Sequence, residues 1–309
     1  MELIFLKPAF HEKIWGGTAL QKWFPKERLG NDTGESWVIS AHTNGLSIIK
    51  NGPFKNHTLK ELYEKQPILF RNPTHKTFPL LVKIIDANDN LSVQVHPDDI
   101  YALKNENELG KTECWYILDA KKDSKLIFGH TAKTKEEFKK QIENENWNDL
   151  LLEVPVKKGD FFYIPSGTVH AIGKGISILE VQQSSDTTYR LYDYDRIDEK
   201  GNKRELHIEK SIDVTTIPYE PQSLFFEETE FENAFITKLI SNSFFTVKKM
   251  RITGNYQYKR EANYILAVVI SGKGKADGEE LIPGTSFIIP ATVDNVEFNG
   301  DFEMILSYQ

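Results

Sequence analysis

In the stretch LSVQVHPDD (residues 91–99), apolar residues alternate with Ser92, Gln94 and His96 before Pro97 and two acids break the pattern, which predicts a strand that ends in a turn. Residues two apart on a strand share a face, so Gln94 and His96 present an amide oxygen and an imidazole in one direction, about 7 Å apart along the backbone. GKTECWYILDA (110–120) adds Glu113 on what reads as a buried strand, where an unpaired carboxylate is costly. IPSGTVHAI (164–172) adds His170 just after a Pro and Gly turn. Singly, each has an ordinary structural role. Together, a neutral oxygen, two imidazoles and one carboxylate form a four-ligand set suited to zinc or another first-row divalent ion.

One anionic ligand leaves such a site with net positive charge, which points to catalysis, since structural zinc sites use thiolates that neutralise the ion. The chain has a single cysteine. Cys114, beside Glu113, falls on the opposite strand face and reads as a packing residue. In LEVQQSSDTTYR (179–190), Glu180 and Gln182 alternate on one face and Arg190 sits among aromatic and β-branched residues, which favours a pocket. Lys83, inside the apolar run FPLLVKIID, must either snorkel or meet an anion.

The elements that must position these residues are short segments rich in Val, Ile, Phe and Tyr, punctuated by Gly, Asn and Pro: an antiparallel all-β chain of sandwich or barrel type. Helices are additions. Thr58 with Glu61, and Thr134 with Glu137, match the capping-box spacing ahead of amphipathic runs, predicting helical insertions near 58–70 and 134–152. KGDFFYIPSGTVHAI (158–172) and PGTSFIIPATVDNVEF (283–298) share Gly, five residues, Pro; His170 of the first copy corresponds to Asn295 of the second, so one copy can bind a metal where the other lacks the ligand.

With 309 residues, 39% hydrophobic, the chain can bury one large core or two modest ones. A net charge of -7 without a long basic run argues against a nucleic-acid partner. The start, MELIFLKPAFHEKIWGG, lacks a basic leader and a long apolar run and is expected to be an edge strand. One cysteine suits a reducing compartment, so the cytoplasm is expected, with no membrane association.

At these residues the chain resembles the short bacterial, type I, zinc-dependent mannose-6-phosphate isomerases of the cupin superfamily. GESWVIS, FPLLVKIIDANDNLSVQVHPDD, GKTECWYILDA, IPSGTVHAIGKG and LEVQQSSDTTYRLYDYDR carry the resemblance across residues 34–196. It implies two jelly-roll cupin domains: a catalytic one (1–225) and a degenerate one (226–309) without metal ligands. It also implies one zinc ion per chain on Gln94, His96, Glu113 and His170, with Arg190, Glu180 and Lys111 catalytic and Lys83 and Ser92 contacting substrate. Gln94 stands where many cupins have a first histidine, and an insert delays the glutamate to Glu113. The implied reaction is reversible conversion of mannose 6-phosphate and fructose 6-phosphate by a monomer or weak homodimer. The base is Glu180, whose desolvated carboxyl is expected to titrate high, or Lys111. A cupin oxygenase, or a sugar-phosphate-binding cupin without catalysis, is the alternative.

Overall fold

The computed structural model describes residues 2–197 and 201–309. It is mostly β, in three open antiparallel sheets of nine, six and five strands, none closed into a barrel. The six-stranded sheet runs Phe161–Ile164, Glu113–Ala120, Ile176–Gln183, Leu80–Ala87, Thr33–Ile39, Ala9–Gly17. The five-stranded sheet runs Tyr189–Tyr192, Val93–Val95, His170–Ala171, Lys125–His130, Leu151–Pro155. Trp115, Ile117 and Ile178 of the first meet Leu126 and Ile172 of the second in a common core.

The six-stranded sheet is covered on its other face too. Val82, Ile84, Cys114, Leu179 and Val181 share a core with Val247, Leu266, Val268 and Ile305 of the nine-stranded sheet. Cys114 is therefore the packing residue its position predicts, buried and unpaired. Because side chains alternate across a strand, the residues between these, Lys83, Glu113, Trp115 and Glu180, project to the opposite face, toward the five-stranded sheet.

The nine-stranded sheet collects all seven described strands after residue 226 and recruits two from the chain's start, Ile4–Lys7 and Ile48–Ile49. The expected edge strand is corrected here: Ile4–Lys7 lies between Ser286–Ile289 and the two-residue strand Ile48–Ile49, and Ala9–Gly17 is the edge, of the six-stranded sheet. In the run Ile265–Ile270, Leu266 and Val268 face the shared core while Ile265, Ala267 and Val269 face a second one built around Phe287, Phe298 and Phe302. Burial on both faces explains an uninterrupted apolar run in an antiparallel sheet.

The repeat has a backbone basis. Gly159 and Gly284 both take positive φ (92° and 86°) where the chain turns into Phe161–Ile164 and Ser286–Ile289, a conformation open to glycine at little cost. Asn295 is exposed, and the interior behind it is filled by phenylalanines.

Both capped helices form. Thr58 caps Leu59–Lys65 through a reciprocal capping box with Glu61, and Thr134 caps Lys135–Glu143 by accepting from Glu137 N–H. A third helix, Asp99–Asn105, follows HPDD: Asp98 accepts from Tyr101 N–H, so the second of three consecutive chain-breaking residues is a helix cap.

Phe287 is fully buried and its ring centroid lies 5.4 Å from that of Phe5. Phe287→Ala is expected to cost about 3–5 kcal/mol in urea unfolding; a loss below about 1 kcal/mol would show that this core is loosely packed.

Candidate metal centre and active site

The strand register brings the distant ligands together. Gln94 and His170 are direct partners across adjacent strands of the five-stranded sheet, and Glu113 faces them from the six-stranded sheet. His96, Glu113 and His170 are buried, each offering a ligand atom within 4.8 Å of the other two. Glu113 Oε1 lies 3.4 Å from His170 Nε2 and Glu113 Oε2 lies 3.6 Å from His96 Nε2.

Backbone carbonyls fix the imidazole tautomers. His96 Nδ1–H donates to Thr187 O and His170 Nδ1–H to Thr168 O, each at 2.9 Å. A carbonyl only accepts, so the proton sits on Nδ1 and the Nε2 lone pair turns toward Glu113. Burial holds both rings neutral: His170 is lowered to about 4, and His96 is driven well below the ordinary range by burial and by the charge of Lys111. Two imidazole lone pairs thus converge on a carboxyl group whose ionised form only accepts, and the donor beside it is the Lys111 ammonium. Such a set is satisfied by a cation. Gln94 Nε2 stands 3.3 Å from His170 Nε2, donating to that lone pair; the other end of the same amide is an oxygen ligand.

The cation nearest these atoms is Lys111, whose Nζ is 2.9 Å from Glu113 Oε2 and 3.1 Å from His96 Nε2. It compensates Glu113 only in part: burial first, then the neighbouring Glu180 charge, push the Glu113 carboxyl up to about 7.

Glu180 differs from expectation. Burial alone would raise its pKa, but Lys111 and Lys83 outweigh it and hold the carboxyl below the usual range. Lys83 Nζ is 3.3 Å from Glu180 Oε2, and the Trp115 indole N–H donates to Glu180 Oε1 at 3.0 Å. It is Glu113, paired with one lysine, that titrates high. Sequence periodicity places both acids on one face but cannot say which of them keeps its charge.

Lys83 continues the network. It lies over the Trp37 ring at 4.9 Å, and Glu35 holds it in the charged state together with Glu180. Glu35 accepts from Trp37 Nε1–H at 2.7 Å, pairs with Lys13 at 3.3 Å, and is lowered to about 2 because Lys83 and Lys13 overcome its burial.

A cavity of about 310 Å³ opens onto this network. Lys83, Ser92, Gln94, Lys111, Glu180 and Arg190 line it, so the expected catalytic and substrate-contact residues share one space with Gln94, whereas His96, Glu113 and His170 are not among its lining residues. Arg190 Nε donates to Ser92 Oγ at 3.3 Å and Nη1 to Glu205 O at 2.8 Å. Lys13, Glu35 and Arg204 also line it and were not singled out from sequence. Glu35 had a signal, a carboxylate inside the apolar run GESWVIS; Arg204 lies in a loop without periodicity.

An open cupin-type sandwich with a buried carboxylate, two oriented imidazoles and a polar cavity defines a metal-binding enzyme class. Residues 3–116 match the family described as phosphomannose isomerase type I, catalytic domain, and residues 235–309 the mannose-6-phosphate isomerase cupin domain. The mannose-6-phosphate isomerase of Streptococcus mutans is 50% identical over 99% of this chain and 98% of its own length. Mannose-6-phosphate isomerase ManA of Bacillus subtilis is 48% identical over 99% of each. A crystal structure of the Bacillus subtilis mannose 6-phosphate isomerase superposes with a TM-score of 0.97 at 41% identity, covering both chains completely. The chain belongs to the mannose-6-phosphate isomerase family. His170, Glu180 and Arg190 fall between the two matched stretches.

Glu113→Gln keeps the shape and removes the anionic ligand. Zinc affinity is expected to fall at least about 100-fold, and the rise in melting temperature that zinc gives the parent protein is expected to vanish; zinc binding and stabilisation equal to the parent would exclude Glu113 as a ligand.

Proposed function

We propose that the chain interconverts mannose 6-phosphate and fructose 6-phosphate, using one zinc ion held by Gln94, His96, Glu113 and His170. The observation that carries this is the oriented set His96, Glu113 and His170 beside a polar cavity lined by Gln94, Lys111 and a buried, ionised Glu180 that pairs with Lys83. A sugar-phosphate-binding cupin without catalysis has no use for that pairing.

Bound zinc would supply Lewis acidity toward the substrate's C1 and C2 oxygens. The proton work falls to the chain's own groups. Glu180, ionised, takes the C2 proton of the aldose as Lys111 protonates the C1 carbonyl oxygen, giving a cis-enediol. Lys111 then recovers a proton from the C2 hydroxyl, and Glu180 returns its proton to C1, which completes the ketose. Trp115 and Lys83 fix Glu180 from two sides, so the carboxylate meets the substrate in a set orientation. Lys83 and Trp115 also hold it ionised, whereas Arg190, at the Ser92 side, adds positive charge where negative charge develops.

No helix among the described residues is long and apolar enough to cross a membrane. The same reading sets the enzyme in the cytoplasm, where Cys114 stays reduced, as a monomer or weak homodimer without nucleic-acid partners.

Glu180→Gln tests the proton transfer: kcat is expected to fall by about 10²–10⁴ with zinc content unchanged by metal analysis. A variant with kcat within about three-fold of the parent, a loss far smaller than that range, would remove Glu180 as the base.

A further inference from the structure

The stretch PDDIYALKNENELGKT (97–112) separates His96 from Glu113, and Lys111 is the one residue of it that the site described above uses. Its acids have targets of their own. Asp99 Oδ1 accepts from Gly110 N–H at 2.8 Å and from Gln183 Nε2 at 3.0 Å. Glu106 Oε1 accepts from the Tyr189 hydroxyl and from Lys210 Nζ, both at 2.7 Å. Glu108 reaches the segment between those two contacts: its Oε2 accepts from Ser185 Oγ at 3.2 Å, Asp186 N–H at 3.3 Å and Thr187 Oγ1 at 2.8 Å.

Residues 184–188 carry the chain from strand Ile176–Gln183 of the six-stranded sheet to strand Tyr189–Tyr192 of the five-stranded sheet, outside either ladder. Backbone groups that leave a sheet need other partners. Ser184 N–H finds Pro79 O at 2.8 Å, Ser185 O accepts from Gln182 Nε2 at 2.6 Å, and Thr187 N–H finds Ser185 Oγ at 3.3 Å. Asp186 N–H depends on Glu108. This segment matters to the site twice over: Thr187 O is the acceptor that fixes the His96 Nδ1 proton, and Asp186 and Thr188 line the cavity.

The other Glu108 oxygen is also engaged. His42 Nδ1 accepts from Asn44 N–H at 3.2 Å, which leaves the ring proton on Nε2, and that N–H donates to Glu108 Oε1 at 3.3 Å. Asn44 Nδ2 in turn donates to Asp186 Oδ2 at 2.9 Å, so residue 186 is gripped from two sides. Burial raises the Glu108 carboxyl, but the bonds from Thr187, His42 and Asp186 outweigh it and hold it below the usual range. The side chain is 34% exposed, so truncating it leaves no closed cavity in a core.

We propose that Glu108 is a positioning residue for the metal centre: by clasping residues 185–187 it keeps the Thr187 carbonyl on His96 Nδ1, and thereby keeps the His96 Nε2 lone pair turned toward Glu113. The carbonyl itself belongs to the main chain and no side-chain substitution removes it, whereas the acid that holds it in place is a side chain. The insert between His96 and Glu113 thus returns an acid that braces the first of them. The role rests on the reading of His96 as a zinc ligand.

The test measures zinc affinity of the full chain by competition with a chromophoric chelator, and the visible absorption of cobalt(II) bound in place of zinc, which reports ligand geometry. Because partners of a ligating histidine's second nitrogen affect metal affinity about 10–100-fold, Glu108→Ala is expected to weaken zinc binding about ten-fold and to change the cobalt bands. Glu108→Gln, which keeps an acceptor oxygen at the same reach, is expected to recover part of both. Thr187→Val removes the shortest bond to Glu108 and keeps the backbone; it is expected to weaken zinc binding by less, and it stands in should Glu108→Ala fail to fold by circular dichroism. Glu106→Gln, on the same loop but bonded elsewhere, is expected to leave zinc affinity and the cobalt bands as in the parent. In a His96→Ala background Glu108→Ala is expected to cost nothing further, since the ring it acts on is gone. Parental zinc affinity in folded Glu108→Ala, beside a loss in His96→Ala, overturns the clasp alone. An equal loss in Glu106→Gln overturns it too, as general loosening of the loop, and so does a full Glu108→Ala effect without His96. Parental zinc affinity in His96→Ala overturns the ligand reading, and the clasp with it.

Discussion

The structure turns on one carboxylate. Glu113 is fully buried at the start of its strand, with two imidazole lone pairs aimed at its oxygens and a single ammonium group, Lys111, against one of them. A charge in that setting is costly unless a cation sits with it. The Thr168 and Thr187 carbonyls take away the alternative of turning an imidazole N–H toward the acid, so the tautomers are committed to ligation. Lys111 supplies part of the missing positive charge, and a divalent ion would supply the rest.

That commitment constrains the surrounding fold. The six-stranded sheet is buried on both faces, so its polar residues can stand on one face only; Lys83, Glu113 and Glu180 interleave with Val82, Cys114 and Val181, which pack against the nine-stranded sheet. The second jelly roll has the same turn geometry at Gly284 as the first at Gly159, but its interior is closed by Phe287, Phe298 and Phe302. Its contribution to the site is indirect: an apolar backing that keeps the catalytic strands in register. Around the cavity lysines pair with glutamates, Lys83 with Glu180 and Lys111 with Glu113, and Arg204 pairs with Asp193.

Much of this was readable in the sequence because strands report their faces through a period of two. Gln94 and His96, Glu113 and Glu180 each sit in alternating runs, and Thr58 and Thr134 announce their helices by cap spacing. Three features were not readable. The titration order of Glu113 and Glu180 depends on how burial, their mutual repulsion and the charges of Lys83 and Lys111 balance at each, a property of side chains from different elements. Ile4–Lys7 is an interior strand because Ile48–Ile49, only two residues long, pairs with its outer edge. Arg204 meets Asp193 across a loop contact eleven residues apart, where no periodicity marks the pairing.

The most direct test of the account is conversion of mannose 6-phosphate to fructose 6-phosphate by the purified protein, measured as prepared, after chelation, and after zinc is returned. Activity lost on chelation and restored by zinc is the predicted result. Full activity in protein shown by metal analysis to be free of divalent ions would contradict it, and would leave the lone pairs around Glu113 without a chemical purpose.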